Sequence, residues 1–190
     1  MRRPLLLLVF PALAAAAPAR AQDAPTEREY AVWSALLDTR NGVPYVTRIV
    51  IVDSTRAGDH GLSAGPWPVG GGRVPDDVLR SFREANTRAW PLENRFRTSV
   101  PVQLLSQAGN RVVSKDPDDG EGRNITNVRF PGAGGVVTLS RVGFSGDGRT
   151  ALVFHRVICG GLCGEDSYYL LALGADARWG VVHKHVTGEY

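Results

Sequence analysis

The chain has 190 residues, 43% of them hydrophobic, with 22 basic against 19 acidic side chains. That is enough apolar material for one packed domain, and it excludes an intrinsically disordered chain. A net charge of +3 and a pI near 9.1 would suit nucleic acid or an anionic membrane. However, Arg2, Arg3 and Arg20 fall in a leader that contains no acid, so the remainder balances 19 basic against 19 acidic residues. No nucleic-acid partner is implied.

The leader, MRRPLLLLVFPALAAAAPARA, has a short basic start, an apolar run and a small-x-small end at Ala19-Arg20-Ala21. This is the pattern of a secretory signal peptide over residues 1–21. The apolar run falls short of the about 20 residues a bilayer span needs, so no stable membrane insertion is expected after cleavage. Residues 22–190 are then expected to form a single exported domain, periplasmic or secreted.

Thr26 and Glu29 have the spacing of a capping box. Tyr30, Trp33, Leu36 and Leu37 follow at helical spacing, which predicts an amphipathic helix over 27–39 ended by Asn41-Gly42. The β-branched run in "VPYVTRIVIVDST" predicts a strand near 45–53. A long stretch of turn formers over 54–73 follows, and loops of that length are usually functional or mobile. Pro75, Asp76 and Asp77 then mark the head of a second helix, with Val78, Leu79, Phe82 and Ala85 as its buried stripe.

"VPVQLLSQ" reads as a strand, and "GNRVVSKDPDDGEGRN" as a polar loop or loose hairpin. From Gly135 onward "VVTLSRVGFS", "RTALVFHRVIC", "YYLLALG" and "RWGVVHKHV" alternate with short turns. These are four strands of an antiparallel meander. The expected class is α+β, with two helices packed on one face of an antiparallel sheet.

The two cysteines, Cys159 and Cys163, lie in "CGGLCGE" between two predicted strands. In an oxidising compartment a pair this close is expected to be a disulfide pinning a glycine-rich turn. A thiol-redox role fits less well, because the spacing is C-x-x-x-C and Glu165 and Asp166 would raise a thiol pKa. A metal site would draw on His155, Cys159 and Cys163, with His183 and His185 on the last strand. The intervening "YYLLAL" strand stands in the way of one coordination sphere. No cofactor is implied.

Other candidate chemistry is thinner. "GFSGDG" lacks the second glycine of a nucleophile elbow, so Ser145 reads as part of a tight turn. Gly70, Gly71 and Gly72 could cradle a phosphate only at the head of the second helix. Asp116, Asp118, Asp119 and Glu121 gather oxygen ligands without an EF-hand pattern. Asn124-Ile125-Thr126 matches a glycosylation acceptor behind a leader of bacterial type. Trp67 and Trp90, beside prolines, are candidates for a ligand platform or for local hydrophobic clamps.

The C-terminal stretch, with S-R-V-G-F, A-L-V, C-G-G-L-C-G and Y-Y-L-L in order, resembles an uncharacterised family of small exported bacterial proteins. The resemblance covers residues 135–182 and brings no catalytic residue with it. The order helix, helix, meander also looks like cystatin-like or NTF2-like cones, which bears on fold and not on function. The expectation is an exported, non-catalytic domain that binds a protein, an envelope component or a small ligand. The alternative is a cone-type enzyme or ligand carrier with a helix–sheet pocket holding Asp53, Arg141, His155 and His183. A metal or thiol-redox protein is the third reading.

Overall fold

The structure, a computed structural model, describes residues 24–40, 46–62, 73–115, 125–160 and 163–189. The leader, Asn41-Gly42, Trp67, Gly70 to Gly72, the acids from Asp116 to Glu121, and Asn124 lie outside the described residues.

The first helix, α1 (Glu27–Arg40), starts where the capping box places it. The Thr26 backbone N–H donates to Glu29 Oε2 at 2.9 Å, and the Glu29 N–H donates to Thr26 Oγ1 at 3.3 Å. The β-branched strand is β1 (Arg48–Val52), and the second helix is α2 (Asp76–Ala85), which buries Val78, Leu79 and Phe82. Then come β2 (Val102–Leu105), α3 (Gln107–Lys115) and α4 (Ile125–Arg129). The segment expected to be a loop or hairpin thus begins as the helix α3. The rest of the sheet is β3 (Ala133–Leu139), β4 (Gly143–Phe144), β5 (Thr150–Gly160), β6 (Cys163–Leu173) and β7 (Trp179–Glu189).

The strands join in the order β2-β1-β3-β5-β6-β7, with β4 paired to β5. The α+β class and the C-terminal antiparallel meander stand as expected: β3–β5, β5–β6 and β6–β7 all pair antiparallel. The sheet as a whole is mixed, because β1 pairs in parallel with both β2 and β3. Helix α2 lies between β1 and β2 in sequence, and α3 and α4 lie between β2 and β3. Such long helical connections are what parallel pairing requires.

Side chains of β5 alternate between two covered faces. Ala151 and Val153 pack with Tyr30, Trp33, Leu36 and Leu37 of α1, while Leu152 and Phe154 pack with Val78, Leu79 and Phe82 of α2. The helices therefore lie on opposite faces of the sheet, not on one. The one-sided packing that a cystatin-like or NTF2-like cone implies is not the arrangement found. The reason is legible in "ALVF" and "YYLL": a strand buried on both faces is apolar without alternation. Burying side chains as large as Trp33 or Phe82 contributes about 1.5–3 kcal/mol each. Among the described residues no helix is long and apolar enough to cross a membrane.

Candidate functional site

The S-R-V-G-F segment is a structural bracket. Between β3 and β4 the chain leaves the sheet, and its polar groups are met by both helices. Arg141 is 7% exposed and Glu29 2%. The Arg141 guanidinium donates from Nε to Glu29 Oε1 at 2.6 Å and from Nη2 to Oε2 at 2.9 Å. The Val142 N–H donates to the same carboxylate at 3.2 Å. From α1, Trp33 Nε1 donates to the Ser140 carbonyl at 3.1 Å. Asn86, just past α2, receives the Arg141 N–H at 2.8 Å and donates to the Arg141 carbonyl at 3.1 Å. Arg141, a candidate pocket residue by sequence, is thus tied to fold maintenance.

The other candidates do not converge either. His155 is 1% exposed and lies edge-on to Tyr169, 5.8 Å between ring centres, on the α1 face. His183 and His185 pair with Leu170 and Tyr168, which places them on the opposite face at the edge strand. Asp53 sits just past β1, its N–H donating to the Leu105 carbonyl at 2.8 Å. Cys159 and Cys163 form a disulfide across the β5–β6 hairpin, with Cα atoms 5.1 Å apart. Both sulfurs are bonded to each other, and among the described residues no group of three His, Cys, Asp or Glu could hold a metal. His155, Cys159 and Cys163 therefore do not form a donor set. Ser145 belongs to a turn: its hydroxyl donates to Asp147 Oδ1 at 2.6 Å and accepts the Thr150 N–H at 2.9 Å. Trp90 is clamped between guanidinium groups, with the Arg88 centre 3.8 Å and the Arg141 centre 5.5 Å from its ring.

On the α1 face, Trp33, Leu36, Ile51, Leu139, Val153 and Leu171 fill the space between helix and sheet. A cavity of about 320 Å³ opens on the other face instead. Val52, Thr138, Arg156 and Ile158 form its floor, and its walls come from 54–57, Ala89 and the α3 residues Gln107 and Asn110. It stands at the carboxyl ends of the parallel strands β1 and β2. There the chain turns away from the sheet and leaves a crevice, the usual ligand position in sheets with parallel strands.

The walls are held from behind. Arg156 forms a two-point ion pair with Asp166, Nε to Oδ1 being 2.6 Å. Thr55 is 1% exposed, and its hydroxyl accepts the Trp90 N–H at 2.9 Å. Gln107 Nε2 donates to Ser54 Oγ at 2.5 Å. The Arg56 N–H donates to the Leu139 carbonyl at 2.9 Å, and its guanidinium lies 5.7 Å from the Phe154 ring centre.

Beside the cavity, His60 stacks on the same Phe154 ring at 4.2 Å. Its backbone is left-handed, φ 51°, between Gly58 at 103° and Gly61 at 76°. This tight loop is anchored by Tyr168, whose hydroxyl donates to the Asp59 carbonyl, and by the Gly58 N–H to the Asn86 carbonyl at 2.8 Å. Burial, and then the positive charge of Arg56, lower the His60 pKa from 6.5 to about 4. The ring is neutral at physiological pH, and its Nε2 is buried without a hydrogen-bond partner.

Chemically, the cavity offers guanidinium and amide donors and hydroxyls, and among the described residues its lining includes no carboxylate, histidine or cysteine. The sequence marked the long loop after residue 53 as functional or mobile, and the lining residues Thr55 and Arg56 are in it. It missed Arg156, Gln107 and Asn110, which reach the cavity only through the strand order. No family model, curated protein or solved structure matches the chain.

Proposed function

We propose that this chain is an exported domain that acts by binding, and that the cavity at the carboxyl ends of β1 and β2 is where it takes a small ligand. The observation that carries the reading is the cavity itself, whose donor-rich walls are fixed from behind by the Arg156–Asp166 pair and by Thr55. Its volume is at the lower end of the about 300–1,000 Å³ of small-molecule sites. Periplasmic or secreted location is supported by the leader over residues 1–21 and by the Cys159–Cys163 disulfide, since disulfides persist in oxidising compartments. The resemblance to small exported bacterial proteins points the same way.

The test is a thermal-shift screen of the purified exported protein against small metabolites, run beside an Ala89→Trp variant whose indole would narrow the cavity. A compound that raises Tm in the parent and not in the variant supports the reading. A screen in which every stabilising compound acts equally on both proteins would sink it.

A further inference from the structure

We infer that β7 is a self-association edge: two copies of this chain pair their β7 strands antiparallel across a two-fold axis at Lys184, joining their sheets into one.

β7 ends the strand order, and among the described residues no strand pairs with its outer side. It is 11 residues long. The opposite edge, β2, has 4 residues, and its Val102 carbonyl already accepts a hydrogen bond from Asn94 Nδ2 at 3.2 Å. A long edge presents a row of backbone donors and acceptors that a strand of another chain can take up.

The occupant is legible in the strand itself. Residues 180–188 are GVVHKHVTG. The run is the same in either direction, except that Val181 answers to Thr187, a β-branched residue of similar shape. An antiparallel pair centred on Lys184 therefore sets Gly180 against Gly188 and Val182 against Val186 in both halves. A two-fold contact needs such self-complementarity, because one surface serves both copies. Both irregularities in the pairing of β7 with β6 flank this centre and leave His183 to Val186 in regular register.

Side chains and charges fit the same partner. Val182 is 59% exposed and Val186 38%, and among the described residues Val128 is the one other large hydrophobic side chain that is exposed. Val182, Lys184 and Val186 alternate along the strand and so share a side. In the pair each Val182 covers the Val186 of the other copy. Lys184 meets its own copy at the axis, and each ammonium is ion-paired with Glu165 of its own β6, which offsets the like charge. At the ends, Arg178 precedes the strand and Glu189 closes it, both exposed. Antiparallel pairing brings the acid of each copy beside the base of the other. Beside Gly180 no described atom lies within 4 Å of where a Cβ would stand, so the backbone there is open to approach.

The experiment is sedimentation velocity of the purified exported protein over a concentration series up to about 0.5 mM. It is repeated on the double variant Val182→Lys/Val186→Lys, which places charge on the edge, and on Val128→Lys as a control in α4. Separately, Lys184→Cys and Val128→Cys are oxidised gently, and peptide mapping locates any new disulfide. Circular dichroism verifies each fold.

A reversible dimer is expected in the parent and in Val128→Lys, with a dissociation constant raised about tenfold or more in the double variant. Lys184→Cys should give a covalent dimer linked through position 184, because facing residues of paired strands have Cα atoms about 4.5–5.5 Å apart, within disulfide reach. Val128→Cys should not. The inference is overturned if the parent is monomeric throughout the series, or if it sediments with a polypeptide of another kind in place of a second copy. It is equally overturned if assembly grows beyond two copies, if the folded double variant associates like the parent, or if position 184 fails to cross-link.

Discussion

Arg141 and Glu29 are more than 100 positions apart in the chain, yet each is the other's main partner in a nearly water-free place. Removing one side of such a pair strands a buried charge, which destabilises by about 3–5 kcal/mol. Arg141→Ala should therefore lower stability by about that amount in urea unfolding, and a double-mutant cycle with Glu29→Ala should show strong coupling. Gly143 acts through shape. A Cβ there would stand 2.5 Å from the Phe82 Cβ and 2.6 Å from its Cα, so helix and strand touch only because glycine has no side chain. Gly143→Ala should destabilise by about 1–3 kcal/mol or more, read as a fall in Tm. His60 gives the pH prediction. Its folded pKa of about 4 lies below the ordinary 6.5, so the unfolded chain takes up the proton first as pH falls. The associated stability is fully present above pH 6.5 and is lost progressively down to about pH 4. His60→Asn, which tolerates the left-handed backbone, should flatten that part of the stability–pH curve measured against the parent.

Among the elements, the β5–β6 hairpin shows how local chemistry and tertiary pairing cooperate. The strands pair along their length from Thr150↔Ala172 to Gly160↔Cys163, and the disulfide closes the tip. A ring this small restrains the unfolded chain by only about 2 kcal/mol, and ten other pairs hold the register without it. Replacing both cysteines by serine should thus leave the fold intact. The expected changes are a fall of about 2 kcal/mol and faster amide exchange confined to the tip. Collapse of the whole sheet would instead mean that the staple sets the register. Helix α1 was readable from Thr26, Glu29 and the Tyr30-Trp33-Leu37 spacing because those signals act within one or two turns. Helix α3 was not: glycine at 109 and asparagine at 110 both favour turns over helix, and the bonds that start it come from Ser106.

For the whole molecule, the decisive feature is a sheet covered on both faces. Leu152 faces α2 and Leu171 faces α1, and both are fully buried. Leu152→Ala and Leu171→Ala should each destabilise by about 2–5 kcal/mol in denaturant titrations. A cost below about 0.5 kcal/mol at either position, the range of a surface site, would mean that its face is open. By itself the sequence determined the helix with its capping box, the β5-β6-β7 meander and the pairing of two nearby cysteines. Each of these depends on residues within a few positions of one another. "VVTLSRVGFS", expected as one strand, is instead divided into β3 and β4 by the turn out of the sheet at 140–142. The tertiary structure alone decided that β1 pairs in parallel with β2 and β3, that the helices take opposite faces, and that Arg56, Gln107 and Arg156 meet around one cavity. These depend on which strands lie side by side. That choice is settled by the summed burial of both faces, and no local pattern encodes it.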